Sequence, residues 1–388
     1  MSVEEYKISD TPPMEKGVSL SPEISESDRE TWEQITYRIL TLEQLVRVSK
    51  PQQVYPGQGN VLAVHWHPEF VPLDNIRQRI ENTFPHRSRW LIIPTQHNIL
   101  TSYDEFSGVE VDCYARGFNR KIQFLVHFEN SRLAKADVFR GMLEHTFKYR
   151  TSQLNEYIDS ILQSSYEHRV GQAAGRTGAD RELIDFVRGY AAKLKRLMEE
   201  NADRTPVIAY RNKLVRDYFD TLRSSHDEDI VNRAQVFLKA LNEIVKREFT
   251  LDFYFDAEEI IEEVRGLGGG IVIPHPEQFW PVLMANYDVD GIEVWNPKSR
   301  EYTEFLIDIV HRQNNSACRR ARPLLIFMGD DTHMGEKVKE YSRQDPLSAL
   351  REIGVQPAWD DPPIRKCLQT ASASREIVIE EYRARLME

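Results

Sequence analysis

One stretch decides the fold of the chain, and it reads Val61-Leu62-Ala63-Val64-His65-Trp66-His67-Pro68. Its apolar half, residues 61–64, is typical of a buried strand. Side chains on a strand alternate between the two faces, so His65 and His67 are predicted to point the same way. Two imidazoles side by side at the end of a strand form half of a metal site if other segments supply the other half.

Length and composition restrict the possible classes of protein. The chain has 388 residues, 41% of them hydrophobic and 29% charged, as expected for a folded chain of two or three domain-sized units. Its formal net charge of −11 argues against a general nucleic-acid binder, because phosphates would be repelled. No run approaches the roughly 20 apolar residues of a membrane helix, and the acidic N-terminus does not resemble a signal peptide. We therefore expect a cytoplasmic protein that does not act at a membrane.

The three cysteines are odd in number and show no Cys-x-x-Cys spacing. Cys113, Cys318 and Cys367 are far apart in the sequence, which suits a reducing compartment. Neither a disulfide framework nor a thiolate zinc site is expected.

Hydrophobic periodicity divides the chain into five segments. Strand-like runs, several followed by helical periods, predict a parallel sheet or barrel, which a helical insertion interrupts. A helix is expected over Thr31–Val48, another over Leu73–Phe84 and a final one over Arg375–Leu386, whereas Gly171–Gly178 is expected to be a flexible loop. The segments are a polar lead with a helix (1–57), the first part of the barrel (58–130), the helical insertion (131–250), the second part of the barrel (251–340) and a mostly helical tail (341–388).

Polar residues with ligand chemistry fall at or near the ends of the apolar runs. None of them is a cysteine, and nitrogen with carboxylate oxygen suits Zn, Mn or Fe, with Mg less suited to so many imidazoles. Asp331 and His333 repeat the two-residue spacing of His65 and His67 and are also predicted to share a face. The candidate metal ligands are His65, His67, His97, Glu110, His127, His275, Asp331 and His333.

In this order, these residues resemble the motifs of the PHP (polymerase and histidinol phosphatase) superfamily. Gly291-Ile292-Glu293-Val294 is similar to a strand that commonly lies between the last two motifs. The matching motifs are His65-Trp66-His67-Pro68, Thr95-Gln96-His97-Asn98, Gly108-Val109-Glu110, His127, Pro274-His275-Pro276 and Gly329-Asp330-Asp331-Thr332-His333.

The resemblance implies an α/β fold, a distorted (β/α)7 barrel with its site at the carboxyl ends of the strands. It also implies two or three divalent metal ions that catalyse phosphoester hydrolysis. By the same resemblance, His65, His67, Glu110 and Asp331 would share one ion. Glu110 would bridge to a second ion held by His127 and His275, and His97 and His333 would serve a third.

The chain departs from the family pattern at two positions. Gln96 stands where the family usually has aspartate, which removes a carboxylate that would tune a ligand. The family often has a histidine or aspartate about six residues after the His-x-His pair. Leu73 occupies that position here, with Asp74 beside it and Glu69 closer to the pair, so the third ion is expected to be weak, differently ligated or absent.

The first functional hypothesis is hydrolysis of a small phosphomonoester or nucleotide by a metal-activated water, with His65, His67, Glu110, Asp331 and His333 as catalytic residues. An alternative is a nuclease that acts on a DNA or RNA end, with a protein partner such as an ATPase bound through the helical insertion. A third hypothesis is a catalytically inactive barrel that serves as an interaction module.

Overall fold

The computed structural model describes residues 23–36, 39–251, 253–316, 322–341 and 344–388. Residues 1–22 of the predicted lead, and Cys318, lie outside these residues. The described α-helices are α1 (Glu26–Thr36), α2 (Leu42–Ser49), α3 (Leu73–Thr83), α4 (Asp137–Leu162), α5 (Glu167–Thr177), α6 (Arg181–Glu200), α7 (Lys213–Thr221), α8 (Glu228–Glu248), α9 (Ala257–Gly266), α10 (Thr303–Asn315), α11 (Met334–Val338), α12 (Pro346–Ala349), α13 (Pro362–Thr370) and α14 (Arg375–Met387).

The strands form one large sheet and two parallel pairs. The described strands are β1 (Asn60–Ala63), β2 (Trp66–His67), β3 (Arg89–Ile92), β4 (Thr101–Tyr103), β5 (Phe106–Ala115), β6 (Arg120–Glu129), β7 (Gly270–Ile273), β8 (Gly291–Trp295), β9 (Leu325–Met328) and β10 (Thr332–His333). The six-stranded sheet has the order β4-β5-β6-β7-β8-β9, antiparallel from β4 to β7 and parallel from β7 to β9. The parallel pairs are β1 with β3 and β2 with β10.

The prediction of a mixed α/β fold is confirmed, whereas a closed (β/α)7 barrel is not seen. Among the described residues no sheet closes on itself, because β1 and β3 pair with each other outside the six-stranded sheet. The long β5–β6 ladder is antiparallel over ten residue pairs, from Phe106 opposite Glu129 to Ala115 opposite Arg120. The expected regular alternation of strand and helix is therefore replaced at this point by a hairpin.

The chain divides into two compact units. The sheet unit comprises Arg38–Ser152 and Phe249–Glu388, and the helical unit comprises Met1–Tyr37 and Gln153–Glu248. In the sheet unit, the predicted C-terminal tail belongs to the main core, since Trp359, Ile379 and Tyr382 are buried with the strands. The expected boundaries at 131 and 341 thus differ from the compact units, because α4 begins within the sheet unit and α14 packs on its strands.

The helical unit has a core of its own, which includes Trp32 of α1. The expected single helix over Thr31–Val48 is instead two helices, α1 and α2. The side chain of Thr41 accepts a hydrogen bond from the Gln44 N–H (3.2 Å), and the Gln44 side chain accepts one from the Thr41 N–H (2.9 Å), so α2 has its own N-cap.

The expected loop at Gly171–Gly178 is also helical, as α5 continues to Thr177. Its alanine, glutamine and arginine residues favour a helix, and Gly178 ends it in the left-handed conformation (φ +70°).

Elsewhere, Cys113 and Cys367 are free thiols. Among the helices of the described residues, none combines the length and apolar character needed to cross a bilayer.

Candidate metal centre

The two short parallel strands bring the first and last motifs together. In the β2–β10 pair, Trp66 is opposite Thr332 and His67 is opposite His333. The backbone N–H of Asp331 donates to the carbonyl of His65 (2.9 Å), which extends this pairing by one residue. The structure brings side chains of both motifs together, since nitrogens of His65 and His67 and a carboxylate oxygen of Asp331 lie within 4.8 Å of one another.

The other candidate ligands come from the strands that follow. His97 lies beyond β3 and forms a parallel bridge with Glu110 of β5. Asn98 secures this bridge, because its side chain accepts from the Asp112 N–H (2.8 Å) and donates to the Asp112 carboxylate (2.8 Å). His275 follows β7 with φ +28°.

Seven of the eight predicted ligands form what we call the histidine cluster. It contains three groups with ligand atoms within 4.8 Å of one another, and His65 and His67 each belong to two of them. The groups are His65, His67 and Asp331; His65, Glu110 and His275; and His67, His97 and His333.

Two carboxylates connect the imidazoles. Glu110 Oε2 lies 2.5 Å from His97 Nδ1 and 3.7 Å from His67 Nε2, and its other oxygen lies 3.3 Å from His275 Nε2. Asp331 Oδ1 lies 3.6 Å from His67 Nε2 and 3.3 Å from His333 Nε2. A carboxylate that faces several ligand nitrogens is suited to bridge two ions.

Buried nitrogens in the cluster fit a metal. His65 Nε2 and both ring nitrogens of His67 are buried and have no hydrogen-bond partner among the described residues. The His67 ring is stacked between those of His97 (centroids 4.5 Å) and His333 (4.2 Å). Leaving such atoms unsatisfied in a protein interior is costly, and coordination of a divalent ion would remove that cost.

The electrostatics differ between neighbouring imidazoles. Burial, with repulsion from His333 and His97, lowers the pKa of His67 to about 3. Burial would also lower the pKa of His65, but the carboxylate of Glu293, with Asp331 and Glu110, raises it to about 10. Although burial opposes their ionisation, nearby imidazoles hold the pKa values of Glu110 and Asp331 well below the usual range. Metal binding at His65 would therefore displace a proton.

His127 was predicted to be a ligand but is not among the three groups, and both of its ring nitrogens form hydrogen bonds within the protein. Nε2 donates to the carbonyl of Val64 (3.0 Å), and Nδ1 accepts from the hydroxyl of Tyr382 (2.7 Å). The side chain is fully buried, and burial lowers its pKa to about 3. His127 thus connects β6 to the end of β1 and to α14, outside the three ligand groups.

Sequence reasoning quoted Glu293 but gave it no role. In the structure its Oε2 accepts a hydrogen bond from His65 Nδ1 at 2.6 Å, with both side chains 1% exposed. This bond fixes the imidazole so that Nε2 faces the cluster, as carboxylates commonly do for metal-binding histidines. The signal in the sequence was an ionisable residue in the middle of the apolar strand β8.

Glu69 is a further carboxylate beside the third group, in addition to Glu110 and Asp331. Its Oε1 is 3.6 Å from His333 Nδ1, and its Oε2 accepts from the Gly335 N–H (2.7 Å). Leu73 and Asp74, by contrast, begin α3, and Asp74 is exposed.

Two basic side chains bind Oδ2 of Asp331, the oxygen that does not face the imidazoles. Arg351 Nη1 donates to Asp331 Oδ2 (2.9 Å) and to the Asp331 carbonyl (2.9 Å), and Lys298 Nζ donates to the same Oδ2 (2.9 Å). Sequence reasoning identified neither residue, because Arg351 lies in the tail and Lys298 in a loop without a motif.

A cleft opens beside the cluster at His275. It has a volume of about 180 Å³, and its lining includes Lys121, Gln123, Gln278 and Phe279. His275 lines the cleft and its Nε2 lies 3.3 Å from Glu110 Oε1, so the cleft adjoins the cluster at this residue.

Known proteins provide little information about the function of this site. No protein-family model matches the chain, and no protein of curated function matches it. A crystal structure from Bifidobacterium adolescentis, of a provisionally assigned metal-dependent phosphoesterase, is similar over 83% of this chain and 97% of that chain, with 16% identity and a TM-score of 0.37. Similarity this low establishes no shared fold or function, so the chemistry rests on the site itself.

Proposed function

We propose that the chain is a metal-dependent hydrolase of phosphoester bonds, of the PHP type that its motifs resemble. The observation that carries the proposal is the histidine cluster. In it Glu110 and Asp331 each face several imidazoles, and buried nitrogens of His65 and His67 have no hydrogen-bond partner among the described residues. Clusters with carboxylates between two ions are typical of phosphatases and nucleases.

The ligand set favours Mn, Zn or Fe over Mg. His65, His67 and Asp331 would hold one ion and Glu110 with His275 a neighbouring one, while His97 and His333 are available for a third. Divalent ions bound there would supply an activated water and neutralise phosphate charge during an in-line displacement.

The protein contributes orientation and proton transfer. Glu293 orients His65, and Arg351 orients Asp331, so the ligand atoms are held before a substrate arrives. The side chain of His333 is 34% exposed, compared with 1% for His67. Where no third ion is bound, its position at the rim suits His333 to donate a proton to a leaving alkoxide.

The cleft favours a small leaving group over a long polymer. Its volume of about 180 Å³ is below the range of roughly 300–1,000 Å³ found for sites of drug-sized ligands. The net charge of −11 also disfavours extended nucleic acid. A phosphorylated small molecule is therefore the substrate we propose.

The proposal is tested by a substrate screen on protein reconstituted with Mn²⁺. The screen contains p-nitrophenyl phosphate, bis-p-nitrophenyl phosphate, nucleotides, and labelled DNA and RNA. We expect hydrolysis of phosphomonoesters, reduced to background by His65→Ala and by Asp331→Ala but retained by Asp330→Asn. Asp330 is a suitable control because it is buried beside Asp331 but accepts backbone N–H groups of Thr332 (3.1 Å) and Gly354 (3.0 Å).

Metal analysis distinguishes an enzyme from an interaction module. Fewer than one bound ion per chain after reconstitution, or unchanged turnover by metal-loaded Asp331→Ala protein, would contradict the proposal. Cleavage confined to DNA or RNA ends would replace the phosphatase by the nuclease hypothesis.

A further inference from the structure

Lys298 differs from the other charged residues at Asp331 in its exposure. Its side chain is 59% exposed, whereas that of Asp331 is 8% and that of Arg351 is 7% exposed. Its loop is fixed to the cluster, because the Lys298 N–H donates to Asn296 Oδ1 (3.1 Å) and Asn296 Nδ2 donates to Glu293 Oε1 (3.1 Å). The ammonium group therefore lies at the open edge of the site on a supported loop.

Asp331 does not need Lys298 to stay in place. The buried guanidinium of Arg351 already binds both the carbonyl and Oδ2 of Asp331. An ion pair with a largely exposed lysine contributes little stability, because water screens it and the long side chain loses conformational freedom. The Lys298 ammonium can thus turn to an arriving anion at small cost, and it has three N–H donors with which to do so.

We propose that Lys298 recognises the phosphate of the substrate and makes the site selective for terminal phosphomonoesters. This inference rests on the proposed phosphoester function and specifies its substrate class. A monoester carries close to two negative charges at neutral pH, since its second pKa is about 6. A diester carries one charge and exposes fewer free oxygens. A cation at the edge of the site therefore favours the monoester.

A simpler role would be that Lys298 only neutralises Asp331. In that case its removal would change metal binding, because Asp331 Oδ1 faces the ligand nitrogens of His67 and His333. Phosphate recognition, in contrast, predicts an effect on anion affinity with metal binding unchanged. The two roles are separable by measuring both quantities on the same protein.

The test uses the 388-residue chain reconstituted with metal and its variants Lys298→Gln, Lys298→Arg and Lys195→Gln. Lys195 is a matched control, because it is 40% exposed and its Nζ pairs with Asp159 Oδ1 at 2.7 Å within the helical unit. Isothermal titration calorimetry with inorganic phosphate gives the anion affinity, and inductively coupled plasma mass spectrometry gives the metal content.

We expect Lys298→Gln to weaken phosphate binding by roughly 10- to 100-fold, as for loss of a hydrogen bond to a charged group, with metal content unchanged. The Michaelis constant for p-nitrophenyl phosphate should rise far more than that for bis-p-nitrophenyl phosphate. Lys298→Arg should retain most of the affinity, and Lys195→Gln all of it.

The inference is overturned if Lys298→Gln binds phosphate as wild type does, if wild type binds no phosphate, or if metal is lost together with phosphate. Equal effects on the monoester and the diester would refute the selectivity. Failure of this inference and failure of the proposed function give different results. If phosphate binds through Lys298 but no ester is hydrolysed, phosphate recognition stands and the proposed function fails. If hydrolysis proceeds and Lys298→Gln has no effect, the reverse holds.

Discussion

Replacing Glu293 by glutamine is expected to weaken metal binding although the side chain keeps its size. In the structure both carboxylate oxygens of Glu293 are acceptors. Oε2 accepts from His65 Nδ1 (2.6 Å), and Oε1 accepts from the His275 N–H (3.2 Å) and from Asn296 Nδ2 (3.1 Å). A glutamine has only one acceptor oxygen, so one of these two sets of bonds must be lost.

Each orientation of the amide in Glu293→Gln has a distinct cost. If its oxygen faces His65, its NH₂ group meets two donors, and two buried hydrogen bonds worth about 1 kcal/mol each are lost. If its NH₂ group faces His65 instead, it can only donate to Nδ1. The imidazole proton then resides on Nε2, the nitrogen that faces Asp331, and this nitrogen cannot coordinate an ion.

The expected loss of metal affinity follows from the general effect of removing a residue that hydrogen-bonds to a metal ligand. Loss of such a residue typically lowers metal affinity by about 10- to 100-fold, which corresponds to roughly 1.4–2.7 kcal/mol. Competition with a coloured chelator measures the affinity. Asp330→Asn is the control. Asp330 is also a buried carboxylate whose two oxygens each accept a hydrogen bond, but its donors include the backbone N–H groups of Thr332 and Gly354 and no histidine of the cluster.

If Glu293→Gln protein is folded by circular dichroism and binds the same number of ions with wild-type affinity, Glu293 does not set the His65 tautomer. If Asp330→Asn weakens metal binding as strongly, the effect is a general consequence of a lost buried charge.

Three further substitutions test other parts of the structure. Because burial lowers the pKa of His127 to about 3, the unfolded chain binds one more proton than the folded chain between about pH 3 and pH 6, so stability decreases by about 1.4 kcal/mol for each unit by which the pH is lowered in this range. His127→Gln should remove this share of the pH dependence in urea titrations of chelator-treated protein at pH 7 and pH 5, and an unchanged pH dependence would contradict it. Gly329→Ala should cost about 1–3 kcal/mol of stability and lower metal content, because the added methyl group collides with the Glu293 carboxylate. Gly175→Ala, exposed within α5 and with open space around it, should instead stabilise the protein by up to about 1 kcal/mol in the same denaturation assay, and destabilisation would contradict the assignment of a regular helix there.

Local patterns predicted individual elements well. The apolar run 61–64 and the helix predicted over Leu73–Phe84 correspond to β1 and α3, which both contribute buried side chains to one core cluster. The two-residue spacing of His65 and His67 also predicted their convergence. Such features repeat within a few residues and are therefore visible in a single sequence.

Pairings between distant segments were not predictable in the same way. The hydrophobic alternation of β5 is the same whether its neighbour is parallel or antiparallel, so the pattern does not distinguish a hairpin from a strand–helix unit. Arg351 reaches Asp331 from a tail that has no motif. His127 has the composition of a ligand, and only the positions of Val64 and Tyr382 show that its nitrogens are used elsewhere.

The two departures from the family pattern are parts of one arrangement. The Gln96 side chain accepts a hydrogen bond from the Glu69 N–H (2.9 Å), and Glu69 has a left-handed backbone (φ +53°). This conformation directs the Glu69 carboxylate toward His333 and the Gly335 N–H. Aspartate at position 96 would be shorter by one methylene group and would not reach the Glu69 N–H from the same backbone. Gln96, which stands in place of a carboxylate of the pattern, thus helps to position the carboxylate of Glu69. The third group of the cluster therefore has an acidic residue beside it without the usual histidine or aspartate at position 73.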